Sequence, residues 1–376
     1  MAERRLPTRI DIDRAVPERP TLLYRYCGHV AVANTAALRI AGLEGDGILR
    51  ETDIQPVSNA IADVQPVISP KAVRRALAGL PSLGLGRMTG IVSVGEPLWC
   101  GVENEIETLQ SVADGLPIEI ETLVIAASPA ELEAAVERLA VGSPNITFFG
   151  WKDFADGSLG GRTAALYEPY SDDLDTTGTL RLDSDHARLM AEASLGLGGA
   201  VAIHAIGDVA NDRVLDLFEG LIRDGADPGH LRIEHASVLA PGAADRMAAL
   251  GITASVQPAF VASEVEWLPK RLGQRVDRTY SFRAMAEAGV PMVGGSDCPV
   301  EAPNPWEGIA AAAGPGRLGT GSAIELFSRS LTEGMEADFL VIDRDPLASS
   351  EIEATRVVAF FRRGQPHAMV DELPFR

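Results

Sequence analysis

Four residues able to bind a metal or move a proton fall at equivalent points of a repeated pattern. Lys152 follows the apolar run ITFFGW, His204 ends AVAIH, His235 lies in LRIEHA, and Asp297 ends PMVGGSD. Each run is short and apolar, as a buried strand would be. A fifth run, TASVQP, ends in Gln257-Pro258. Two imidazoles, an amine and a carboxylate at one rim would make a metal centre beside an ionisable water. Taken singly, each residue has an ordinary reading. A lone strand-end histidine is more often structural than a ligand. Lys152 by itself would be a surface lysine, but a solvated position fits poorly with the aromatic run before it. Asp297 in GGSDCP would serve equally well as a turn or helix-capping aspartate. The chain has six histidines: His29, His186, His204, His230, His235 and His367. That two of them end consecutive strands favours ligation for the pair.

The elements that must position these residues begin at Gly90. Candidate strands are 90–95, 118–125, 145–152, 200–204, 231–236, 253–258 and 291–297. Helical patterns separate most of them. Ser128-Pro129 opens ELEAAVERLA with an N-cap and a first-turn proline, and Ser184 and Asp185 open HARLMAEASLGL in the same way. NDRVLDLFEGLIRD and AADRMAAL fill later gaps. Strands alternating with helices at this spacing mean parallel βα units. The fold class is therefore α/β, a TIM-type (β/α)8 barrel whose active site gathers at the C-terminal strand ends. Closure needs eight strands, and the pattern supplies one fewer. The absent strand is placed first, before Gly90.

Past the last strand the pattern changes. Segments 336–347 and 354–370 read as short β segments of a small appended sheet. Before Gly90, Pro7, Pro17 and Pro20 interrupt the start, and Asn34–Ile40 has the pattern of a short helix. Composition narrows the function classes. The formal charge of −20 argues against nucleic acid and anionic membranes, which reward Lys and Arg. Only three of the 33 basic residues are lysines, Lys71, Lys152 and Lys270. No apolar run approaches the roughly 20 residues of a membrane helix, and MAERRLPTRIDIDRAVPERP has no leader-like apolar stretch. Cys27, Cys100 and Cys298 are odd in number and far apart, which fits a reducing compartment. The expected setting is cytoplasmic, with a small-molecule substrate and a possible homo-oligomer.

In order along the chain, WKDFADGSLGGRTAALYEPY, VAIHAIGD, RIEHAS, SVQPAF and GGSDCPVEAPNPWEGI resemble the metal-dependent amidohydrolases. The nearest branch contains N-substituted formamide deformylases. The likeness runs from about Pro7 to the C-terminus and includes LLYRYCGHVAVANTAALRIAGL and GMEADFLVIDRDPL. It implies one or two divalent ions, with zinc expected. Lys152 is similar to the family's carboxylated lysine, and burial favours the neutral amine that carbamate formation needs. His204 and His235 resemble its imidazole ligands. Asp297 resembles the metal-site carboxylate that takes a proton from the attacking water and passes it to the leaving group. His29 lies in the segment that the family places between strands one and two, so residues 1–89 read as an inserted cap. Residues 90–330 are then the barrel, and 331–376 part of a small β-sandwich. His29, Asp156 and Arg162 are expected to line the substrate pocket.

One departure stands out. Family members carry His-X-His at the end of strand one, and this sequence has none. The sequence is therefore expected to be a shortened form, with open strand edges and weak metal binding. Cleavage of an amide-type C–N bond in a small molecule, not a peptide bond, is the leading expectation. A degenerate relative without turnover is the alternative. A Schiff-base role for Lys152 would leave His204, His235 and Asp297 unexplained.

Overall fold

A computed structural model describes residues 6–25, 28–62, 69–95, 104–329 and 332–369. Cys27 and Cys100 lie outside them; Cys298 is an exposed free thiol. No helix among the described residues is long and apolar enough to cross a membrane.

The N-terminal part builds a small antiparallel sheet from β1 (Leu22–Tyr24), β2 (Val30–Ala33) and β3 (Ile48–Arg50). Asn34 organises it. Its side-chain oxygen caps helix Thr35–Ile40 by accepting from Ala37 N at 2.9 Å and also accepts from Thr21 N. Its amide donates to the carbonyls of Val16 and Arg19 at 2.8 Å each. A fully buried amide satisfied at four points fixes the chain on both sides of it. Ala31, Ala37, Leu38, Val57 and Ile61 form a separate apolar cluster under this sheet.

The main sheet has seven strands: β4 (Arg87–Ser93), β5 (Glu119–Ile125), β6 (Ile146–Phe154), β7 (Ala200–Ala205), β8 (Leu231–His235), β9 (Thr253–Val256) and β10 (Met292–Gly294). They pair in sequence order, all parallel, from β4 to β10. Each candidate strand in the sequence has its counterpart here. Helices fill every connection and bury Leu132, Met190, Phe218 and Met247 against the sheet. The helix after β6 starts one residue earlier than its sequence suggests. Asp183, rather than Ser184 or Asp185, is the N-cap, and its carboxylate accepts from Asp185 N and His186 N. Where β6 and β7 run together, a Cβ on Gly150 would lie 2.2 Å from the Ala200 carbonyl, so only glycine fits.

β4 and β10 each have one neighbour, and no eighth strand joins them among the described residues. The architecture is a parallel α/β sheet covered by helices. After it come β11 (Phe339–Ile342), β12 (Val357–Arg362) and β13 (Gln365–Met369), a separate antiparallel sheet. Arg362, on β12, reaches the amino ends of the parallel strands, bonding to Leu116 O, Glu119 and Asn145.

Candidate active site

Strand register brings the chemistry together. In parallel pairing, Lys152 lies opposite Ala202, Phe154 opposite His204, and His204 opposite Glu234. Alternate residues share a sheet face, so Lys152, His204 and Glu234 project to the same side. His235 is one step out of phase with Glu234 and would point away. Its backbone solves this: φ is 75° at His235 and 47° at Ala236, both left-handed. The strand ends there, and the His235 ring turns to meet His204 edge-on, with centroids 4.5 Å apart.

These rings line a small pocket that opens to solvent. Asp297, His29, Phe260, Glu264 and Tyr280 line it too. His29 lies 5.2 Å from His204, centroid to centroid. Its Nδ1 pairs at 3.0 Å with Glu51, which also takes Arg181 at 2.9 Å. The small N-terminal sheet therefore supplies one wall.

Burial holds the His204 imidazole well below its usual range, and His29 and Lys152 add to the effect. His235 is depressed in the same way, by burial first and His204 second. Both rings are neutral, the form that ligates a metal. His204 Nε2 donates to Gly157 O at 2.9 Å, which leaves Nδ1 as its lone-pair nitrogen. His235 Nδ1 is buried with no hydrogen-bond partner. Burial lowers the Lys152 amine to about 8, with Glu234, Asp153 and Asp297 opposing. The surrounding protein pushes the Asp297 carboxyl up to about 6, and Lys152 pulls it back. Asp297 is exposed, so water moderates that push.

The donor set suits a divalent cation. It holds two neutral imidazoles, one with an orphaned nitrogen, and an amine whose lowered affinity for protons favours carbamate formation. Among the described residues, no three His, Cys, Asp or Glu side chains are arranged to hold an ion by themselves. Lys152 does not line the cavity wall. Its amine donates to Asp153 O at 2.6 Å and lies over the Phe154 ring.

Two residues expected at the pocket stand elsewhere. Asp156 is fully buried behind His204, where it accepts from Ala165 N, Ile206 N and Gly207 N at 2.7–3.0 Å. It ties the loops after β6 and β7 together. Arg162 is drawn outward by Asp172, at 3.0 Å. Glu51, Arg181, Glu264 and Tyr280 join the site without a motif in the sequence to mark them. Nothing in ETDIQPV or FVASEVEW marks either glutamate as buried.

A parallel α/β sheet with histidines and an aspartate at its carboxyl ends defines a class of enzyme-like scaffold. A model of the amidohydrolase family matches residues 1–321. The putative amidohydrolase YtcJ of Bacillus subtilis is 31% identical, over 91% of this chain and 72% of that protein. The N-substituted formamide deformylase of Arthrobacter pascens is 24% identical, over 96% and 76%. Among solved structures, an uncharacterized metal-dependent hydrolase from Pyrococcus furiosus superposes with a TM-score of 0.67 at 30% identity. That match covers 86% of this chain and 69% of the other. The chain belongs to the amidohydrolase family.

Proposed function

We propose that the protein is a metal-dependent hydrolase that cleaves an amide-type C–N bond, other than a peptide bond, in a small molecule. One observation carries the reading: two neutral, buried imidazoles meet at 4.5 Å in a pocket that also holds Asp297, and one ring nitrogen lacks any partner. His204 and His235 would hold the cation, zinc by ligand type, and a carboxylated Lys152 would add oxygen donors. When bound, the ion supplies Lewis acidity that polarises the scissile carbonyl. Asp297 takes the proton of the attacking water and returns it to the leaving nitrogen; its raised affinity for protons suits it to both steps. His29, oriented by Glu51, borders the substrate. The relatives' names support this reading, and an eight-stranded barrel is the architecture it fits.

Among the described residues the sheet is open and no three side chains form a ligand set by themselves, which favours a second reading, a family relative without turnover. Metal analysis and an amide screen separate the two. Near-stoichiometric zinc with release of amine from N-formyl and N-acetyl amines supports hydrolysis. Metal-free, inert protein after zinc reconstitution would sink it.

A further inference from the structure

Glu264 stands outside the reading above. It ends the short helix Phe260–Glu264 that follows β9. Phe260 stacks on the His235 ring at 6.0 Å and 23°, and Glu264 follows four residues later, on the same helix face. The carboxylate thus lies about one helical turn from the side chain that touches the site. It is only 8% exposed, yet it lines the cavity. Tyr280 is its one hydrogen-bond partner among the described residues, donating through its hydroxyl at 2.5 Å. Glu264 forms no ion pair there. Arg25 and Arg271 both lie over the Trp267 ring, near enough to favour the charged form, Arg25 more than Arg271; the Arg271 guanidinium is engaged by Asp172 and by the carbonyls of Leu159 and Gly160. A carboxylate can accept several hydrogen bonds, and Tyr280 fills one of them.

We propose that Glu264 is a specificity-determining residue that receives a hydrogen-donating nitrogen, an amine or ammonium, carried by the substrate about one helical turn from the scissile bond. The proposal rests on the pocket being the substrate site. It adds a substrate class: small amides whose leaving-group side ends in an amino group. Tyr280 holds the carboxyl at the wall, so the oxygen is in place before the ligand arrives. Burial also pushes the carboxyl up to about 7, so a partner that donates to the ionised form would be favoured.

Two probes of matched length test it, N-(2-aminoethyl)acetamide and N-propylacetamide. Their binding to the full chain is measured by titration calorimetry, with and without added zinc. The wild type is expected to bind the amino probe about tenfold more tightly, the scale of one charge-assisted hydrogen bond. In Glu264→Gln the two affinities should come within about twofold of each other. Tyr280→Phe, which removes the hydroxyl but not the charge, should keep the preference. Glu287→Gln, an exposed control, should leave it unchanged. Equal binding of the probes by wild type, no binding of the amino probe, or a preference surviving in Glu264→Gln would overturn the proposal. The wild-type comparison needs no variant to fold. Release of acetate is followed in parallel. Turnover of both probes without preference defeats this proposal and leaves hydrolysis standing; preference without acetate does the reverse.

Discussion

His235 reaches His204 only because its backbone adopts φ of 75° where the strand stops. Such a position costs a branched or bulky residue most, and His tolerates it better than most non-glycine types. Asp297 is also left-handed, at 55°. Asp297→Asn is expected to keep most of the metal content of the zinc-loaded protein while lowering amide turnover roughly 10²–10⁴-fold, because Asn cannot take a proton. Activity within a few-fold of wild type would assign the proton to another group. Glu264 allows a test of folding energetics. Its carboxyl is pushed up to about 7 from an ordinary 4.5, chiefly by burial. The native state therefore keeps this proton to higher pH than the unfolded chain. Stability falls as pH rises through 4.5 to 7 and stays low above it. At about 1.4 kcal/mol per pKa unit, the full effect is on the order of 3 kcal/mol. Urea unfolding of Glu264→Gln should show that slope removed, so the variant gains on wild type from about pH 5 to about pH 8. A gap unchanged between the two pH values refutes the assignment. The ligand-type residues were legible because each ends an apolar run. Glu264 and Glu51 were not, because their burial comes from contacts that no local pattern encodes.

Elements that repeat were the easiest to read. All seven parallel strands stand where their Val- and Ile-rich runs predict, to within a few residues at each end. The last is shorter than PMVGGSD suggests, since the chain leaves the sheet after Gly294. The N-terminal sheet leaves no strand pattern in the sequence. β1 and β3 have three residues each, and the four residues of β2 are all buried, so no alternation appears. Its stability hangs on Asn34. Asn34→Ala removes four hydrogen bonds from a fully buried site and is expected to cost about 3–5 kcal/mol locally. Hydrogen exchange should then speed up in 22–50 and stay slow in β6 to β8. Uniform acceleration through both would mean that the two parts unfold as one.

At the scale of the whole molecule, the seven-stranded sheet has two strands with a single neighbour among the described residues, β4 and β10, with Ile91 and Val293 44% and 38% exposed. Unpaired edges of this kind recruit further strands. The charge of −20 opposes close approach of two copies at low ionic strength, and salt screens it. Light scattering of this chain is therefore expected to show mass rising with concentration, and more steeply in high salt. A constant 39.8 kDa under all conditions would show the edges to be covered. The run of seven parallel strands was legible from the apolar segments; what pairs with the edge strands was not. The other pole of the molecule has a practical use. Arg362 fastens the β11–β13 sheet beneath the amino ends of the strands, while the pocket opens at their carboxyl ends. A resin or electrode attached through the exposed Arg363-Gly364 turn would hold the protein by its base, with its mouth facing the flow.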